Sequence, residues 1–109
     1  MTLAEQNIEK IAEGTKPLSI EEAKALRGEI PGWSLAKDGG ELKRKFEFPN
    51  FREAINFVNR VADLAEEFDH HPEIEIEYNM VELEFSTHRI DGLSMNDFIM
   101  AAKVNTLPQ

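Results

Sequence analysis

The apolar side chains Phe51, Ala54, Ile55, Val58, Val61, Ala62, Ala65 and Phe68 recur at steps of three and four. Only an α-helix of about five turns lines such a series along one face. Asn50 precedes the run as an N-cap, with Glu53 at the third helical position. A helix this strongly amphipathic must lay its stripe on another layer, and the flanking sequence supplies one. Upstream, Trp33 to Lys37 and Glu41 to Phe48 read as strands joined by Asp38-Gly39-Gly40, with Leu42, Phe46 and Phe48 on one parity. Downstream, Ile74, Ile76 and Tyr78 alternate with Glu75 and Glu77, then Val81, Leu83 and Phe85 alternate with Glu82, Glu84 and Ser86. Such alternation predicts strands with one covered and one wet face. Ser94 with Asp97 forms a capping box for a last helix, Leu93 and Phe98 its hydrophobic staple, and Met95, Phe98, Ile99 and Ala102 its stripe.

Ser19 and Glu22 make a second capping box, opening a helix that closes at Gly28. Thr2 and Glu5 make a third, predicting an extra N-terminal helix over Thr2 to Glu13 that Gly14 ends. The expected fold is α+β: a two-layer sandwich with a four-stranded antiparallel sheet, a β-β-α-β-β-α core and helices on one face. The 109 residues make a single domain over 1–109, with 1–16 as an N-terminal extension.

A formal net charge of −9 argues against a nucleic-acid partner, since phosphate binding needs clustered Lys and Arg. Lys43-Arg44-Lys45 reads as a solvated strand face. There is no cysteine, hence no disulfide framework and no thiolate metal site. Neither a signal peptide nor a membrane-spanning run is present, so the expected location is cytoplasmic, without a membrane partner.

All three histidines fall in one ordered series: Glu66, His70-His71-Pro72, Tyr78, His88, Asp97. Histidine titrates nearest neutrality and is the usual carrier of proton transfer. Pro72 stiffens the His-His turn, and adjacent side chains on extended backbone diverge, so the two imidazoles should have different tasks.

This spacing resembles the pterin-4a-carbinolamine dehydratase family over about Ser19 to Asn105. That family's signature is an acid, three residues, His-His-Pro, an aromatic six residues after the Pro, a His ten further and an Asp nine beyond; every position is filled. The wording Asp69-His70-His71-Pro72, Ser86-Thr87-His88 and Gly92-Leu93-Ser94 is similar too. The resemblance implies a hydro-lyase that removes water from a 4a-hydroxytetrahydropterin to give the quinonoid dihydropterin. The pterin is substrate, so no cofactor or metal is expected. It implies His70, His71 and His88 as catalytic residues, with His70 and His88 as the acid–base pair and His71 orienting the pterin or handling the second proton. Glu66 and Asp97 would hold imidazole tautomers, and Pro72 and Tyr78 complete the site. It further implies a homodimer or homotetramer and a functional link to a pterin-dependent hydroxylase in cofactor recycling.

Taken singly, these residues have plainer explanations. Asp97 serves the capping box, Glu66 sits among Asp63 and Glu67, Tyr78 follows Ile74 and Ile76 in parity, and His88 continues the polar face of Glu82, Glu84 and Ser86. Two alternatives of other classes stay open: a non-catalytic dimerisation or binding module of this fold, and a histidine-rich metal site.

Overall fold

The computed structural model describes residues 1–109. Helix α1 is Ile20–Arg27, strand β1 Ser34–Ala36, β2 Glu41–Glu47, helix α2 Phe51–Phe68, β3 Glu73–Glu77, β4 Met80–Phe85 and helix α3 Met95–Asn105. The sheet is antiparallel throughout, in the order β1-β2-β4-β3. The α2 crossover therefore seats β4 beside β2, and β3 folds back as an outer edge.

The caps form where the sequence places them. Asn50 accepts from the Glu53 N–H at 2.9 Å, and Ser19 and Glu22 exchange bonds of 3.1 and 2.8 Å. Gly28 caps α1 at its end. Leu42, Phe46 and Phe48 of the β2 segment and Val81, Leu83 and Phe85 of β4 are buried beneath the helices. Phe57 of α2 lies against Phe46 and Phe48, with ring centroids 4.6 and 5.1 Å away.

Several expectations fail, each for a packing reason. The α2 stripe is rotated: Phe57 is fully buried, whereas Phe51 is half exposed and Ala62 faces water. Met95 is likewise exposed at the start of α3. Arg44 is not on the solvated face with Lys43 and Lys45. It pairs across from Leu83 on the helix side, lays its guanidinium 4.3 Å from the Phe46 ring and donates to the Asn105 side chain.

Tyr78 leaves the core parity altogether. It occupies the β3–β4 turn at φ 51° and is 67% exposed. Ile74 and Ile76 remain partly exposed too, because β3 is an edge strand that the helices do not fully cover.

The predicted N-terminal helix shrinks to one 3-10 turn, Leu3–Glu5, although Thr2 and Glu5 do make their capping bonds. Beyond it the chain runs without helix to Ser19. Partners on α3 replace its internal bonds: Lys103 Nζ donates to the Ala4 carbonyl at 2.7 Å, and Asn96 pairs with the backbone of Glu9. Helix α3 is buried from Asn96 to Val104, with the sheet on one side and this segment on the other.

Candidate active site

Helix α2 ends on Asp69 in the left-handed conformation at φ 51°, and the Asp69 and His70 N–H groups both bond the Ala65 carbonyl. Asp tolerates that conformation better than most residues. The cap turns the chain sharply, and Pro72 then sends it into β3. His70 is aimed back toward the start of α3, His71 toward the end of α2.

His70 Nε2 lies 2.7 Å from Asp97 Oδ1, and its ring stacks on Phe85 at 5.9 Å and 11°. Asp97 is completely buried. Its second oxygen accepts from the Ser94 N–H at 2.9 Å and from the Thr87 hydroxyl at 2.8 Å. Ser94 Oγ lies 2.7 Å from Thr87 Oγ1, so a relay runs from Ser94 to Thr87 to Asp97. A buried carboxylate is costly unless its lone pairs are met. Here each oxygen is met, and the first turn of a helix adds a favourable dipole. Asp97 therefore serves α3 as a capping residue and His70 as a bonded partner at once. An acceptor at Nε2 places the proton of a neutral imidazole there, leaving the Nδ1 lone pair available.

His71 Nε2 meets Glu66 Oε2 at 2.5 Å on the surface, both side chains more than half exposed. The second dyad is thus the solvated counterpart of the first. Pro72 stands between the dyads and β3, whereas Tyr78 lies at the opposite end of that strand.

His88 is not joined to either dyad. It begins a 3-10 turn, His88–Ile90, after the end of β4. The β3–β4 register sets Glu73 across from Glu84. The ladder stops there, and beyond it Asp97 joins the two chain segments by binding both His70 and Thr87. Thr87 points to the helix layer. His88, one residue on, points to the other face of the sheet.

Two cavities flank this strand end and share no wall residue. One, of about 500 Å³, includes His70, Phe68, Thr87 and Arg89. The other, of about 390 Å³, includes His88, Ser86, Glu41 and Glu73. Near it the Glu84 carboxyl is held above its ordinary value by the hydrogen bond it shares with Glu41, then by burial and by the like charge of Glu41. Burial pushes Glu41 upward, but its contact with Lys37 at 2.9 Å prevails and holds it low. No three histidine or carboxylate side chains converge closely enough to hold a metal ion.

Thr87 stands outside the series of histidines and acids, although a hydroxyl on the parity of Val81, Leu83 and Phe85 signals a buried donor that needs a partner. Ile8 to Ile11 likewise lie outside that series, yet line the His70 cavity.

The fold and the site thus define a two-layer α+β domain with two histidine–carboxylate dyads, one buried on the wall of a cavity and one on the surface. Comparison with known proteins narrows this class. The family model described as "Pterin 4 alpha carbinolamine dehydratase" matches residues 16–107. A protein of Rubrobacter xylanophilus, named "Putative pterin-4-alpha-carbinolamine dehydratase", is 47% identical over 105 residues, covering 96% of this chain and 97% of that one. One of the same name, numbered 1, from Cupriavidus pinatubonensis is 49% identical over 94 residues, covering 86% and 81%. The crystal structure titled "transcriptional coactivator/pterin dehydratase" from Brucella melitensis superposes with a TM-score of 0.77 at 32% identity, covering 83% of this chain and 96% of that one. The chain belongs to the pterin-4-alpha-carbinolamine dehydratase family, and with it to the hydro-lyases. No helix of the chain is long and apolar enough to cross a membrane.

Proposed function

We propose that this chain converts 4a-hydroxytetrahydropterin to quinonoid dihydropterin and water by histidine acid–base catalysis. What carries the reading is the buried Asp97–His70 pair on the wall of a cavity with room for a pterin. In the reaction an acid protonates the C4a hydroxyl, and the C4a–O bond breaks as the N5 lone pair moves in. A base then takes a proton from the ring nitrogen system, and water leaves. Positioned groups contribute about 10²–10⁴-fold to such transfers.

His70 uses Nδ1 for one transfer, with Asp97 fixing its tautomer and supporting its cationic form. His88 opens onto the separate cavity with Ser86, so it completes the pair only when its 3-10 turn, His88–Ile90, swings toward the substrate held at His70. His71, with Glu66 behind it, orients the pterin or carries the second proton, and Pro72 holds the turn rigid. Tyr78 has no part in this reading, since it lies at the other end of β3.

No added cofactor is needed. The source of substrate is a pterin-dependent hydroxylase in the same compartment, which we take to be the cytoplasm. The partly exposed Ile74 and Ile76 at the β3 edge favour a homodimer or homotetramer, which light scattering would report as a mass well above 12.4 kDa. The test of the chemistry is the set of single variants: His70→Ala and His88→Ala each lower kcat/KM at least tenfold with circular dichroism unchanged. Undiminished turnover in both overturns the proposal.

A further inference from the structure

The segment before residue 16, outside the family match, is built into the cavity that holds His70. It is pinned at two places, and the residues that follow it at a third. Leu3 is buried in the core and Lys103 Nζ binds the Ala4 carbonyl at 2.7 Å. Asn96, itself buried, accepts from the Glu9 N–H at 3.1 Å and donates to the Glu9 carbonyl. Further on, the Leu18 N–H binds the Leu93 carbonyl at 2.9 Å, and Pro17 lies so close to Gly92 that an added Cβ would sit 2.7 Å from it. Between these pins, Ile8, Glu9, Lys10 and Ile11 line the cavity opposite Phe68 and His70.

The latch and the tautomer-fixing acid are consecutive residues. Asn96 and Asp97 share the first turn of α3, so the strand of chain over the cavity and the imidazole inside it are referred to one rigid element. Two cations, Lys10 and Arg89, line the same space, and neither is engaged in an ion pair.

We infer that residues 8–11 form a strap, latched by Asn96, that reads the C6 side chain of the pterin and favours hydrogen-bond-accepting side chains over plain alkyl ones. This rests on the dehydratase reading. In the substrate C4a is bonded to N5, and N5 to C6. A pterin whose C4a–N5 bond lies at His70, with C6 turned toward residues 8–11, projects its C6 substituent within the same cavity. There it meets Lys10 and Arg89, two donors with no acceptor of their own. Asn96 is a positioning residue in this account: it touches the strap and never the substrate.

The experiment compares carbinolamines bearing a dihydroxypropyl or a methyl group at C6 in wild type, Asn96→Ala and Lys10→Ala. Wild type favours the hydroxylated substrate at least fivefold in kcat/KM. Both variants bring the ratio within twofold, through KM rather than kcat, and Asn96→Ala alone speeds tryptic cleavage after Lys10. Lys10→Ala keeps the latch, so loss of stability in Asn96→Ala does not confuse the result. The stable 7,8-dihydropterins with the same two side chains give a readout without turnover, through quenching of Trp33 fluorescence. A side-chain preference in that binding, abolished by Lys10→Ala, supports the strap even if no variant dehydrates anything. An equal response of wild type to both side chains, or a preference untouched in both variants, overturns it.

Discussion

Asp97→Asn is the perturbation that separates holding an imidazole from merely filling space. The amide has the shape of the carboxylate, and its oxygen still accepts from the Ser94 N–H and the Thr87 hydroxyl. Its NH₂ group then faces His70 Nε2, where two donors would clash. The imidazole answers by moving its proton to Nδ1, and the Nδ1 lone pair is gone. Hydrogen bonds to charged groups contribute about 1.5–3 kcal/mol and neutral ones about 0.5–1.5. The lost support for the imidazolium is thus about 1–2 kcal/mol, which is roughly 5- to 30-fold in rate. Because the amide keeps every buried donor satisfied, stability should fall by only about 1 kcal/mol. Asp97→Ala, by contrast, strands those donors at about 1–3 kcal/mol each and should unfold most of the protein. The assay is carbinolamine dehydration followed by ultraviolet absorbance across pH, with ¹⁵N shifts of the His70 ring reporting the tautomer. Turnover within twofold of wild type at every pH, together with an unchanged tautomer, would refute the reasoning.

Three further outcomes follow from the packing and charge. Phe57→Ala removes the ring between Phe46 and Phe48 and should cost about 3–5 kcal/mol in urea unfolding, while Phe51→Ala on the exposed face stays within about 0.5. Glu84→Gln should raise Tm at pH 7. A carboxyl whose folded pKa is raised favours the native state fully below its ordinary value of 4.5, and that contribution is lost as pH rises through the folded value. The advantage of Gln must therefore fade as pH falls from the raised folded value to below 4.5, and an equal gain at pH 7 and below 4.5 would contradict the raised Glu84 carboxyl. Gly92→Ala drives a methyl into Pro17 and should lower Tm by several degrees, measured by circular dichroism; no change would mean that the N-terminal segment is not pinned there.

The caps and alternations carried most of the fold, because they are local. Ser19, Asn50 and Ser94 each open a helix by bonds that span three residues, and β2 and β4 bury the parity their apolar residues mark. What local reasoning lost depends on distant partners. Leu3 to Glu13 matches a helix pattern, yet Asn96 and Lys103, remote in sequence, take its backbone groups. Ile74 and Ile76 alternate like core residues but belong to an edge strand, a fact set by sheet order and not by their own sequence. The site divides the same way. Parity places His88 on the polar face with Glu84 and Ser86, and the structure keeps it there. That His70 would choose Asp97 and His71 would choose Glu66 required the left-handed cap at Asp69, which an Asp before two histidines does not announce.

The most direct test is stopped-flow dehydration of 4a-hydroxytetrahydropterin, generated in place, with wild type, with His70→Ala, and with His70→Ala plus added imidazole. The account predicts acceleration over buffer by wild type, its loss in the variant and its partial return with imidazole filling the space above Asp97. Wild-type turnover that survives in His70→Ala would contradict the central role of the buried dyad, and no acceleration by the folded wild type would contradict the dehydratase itself.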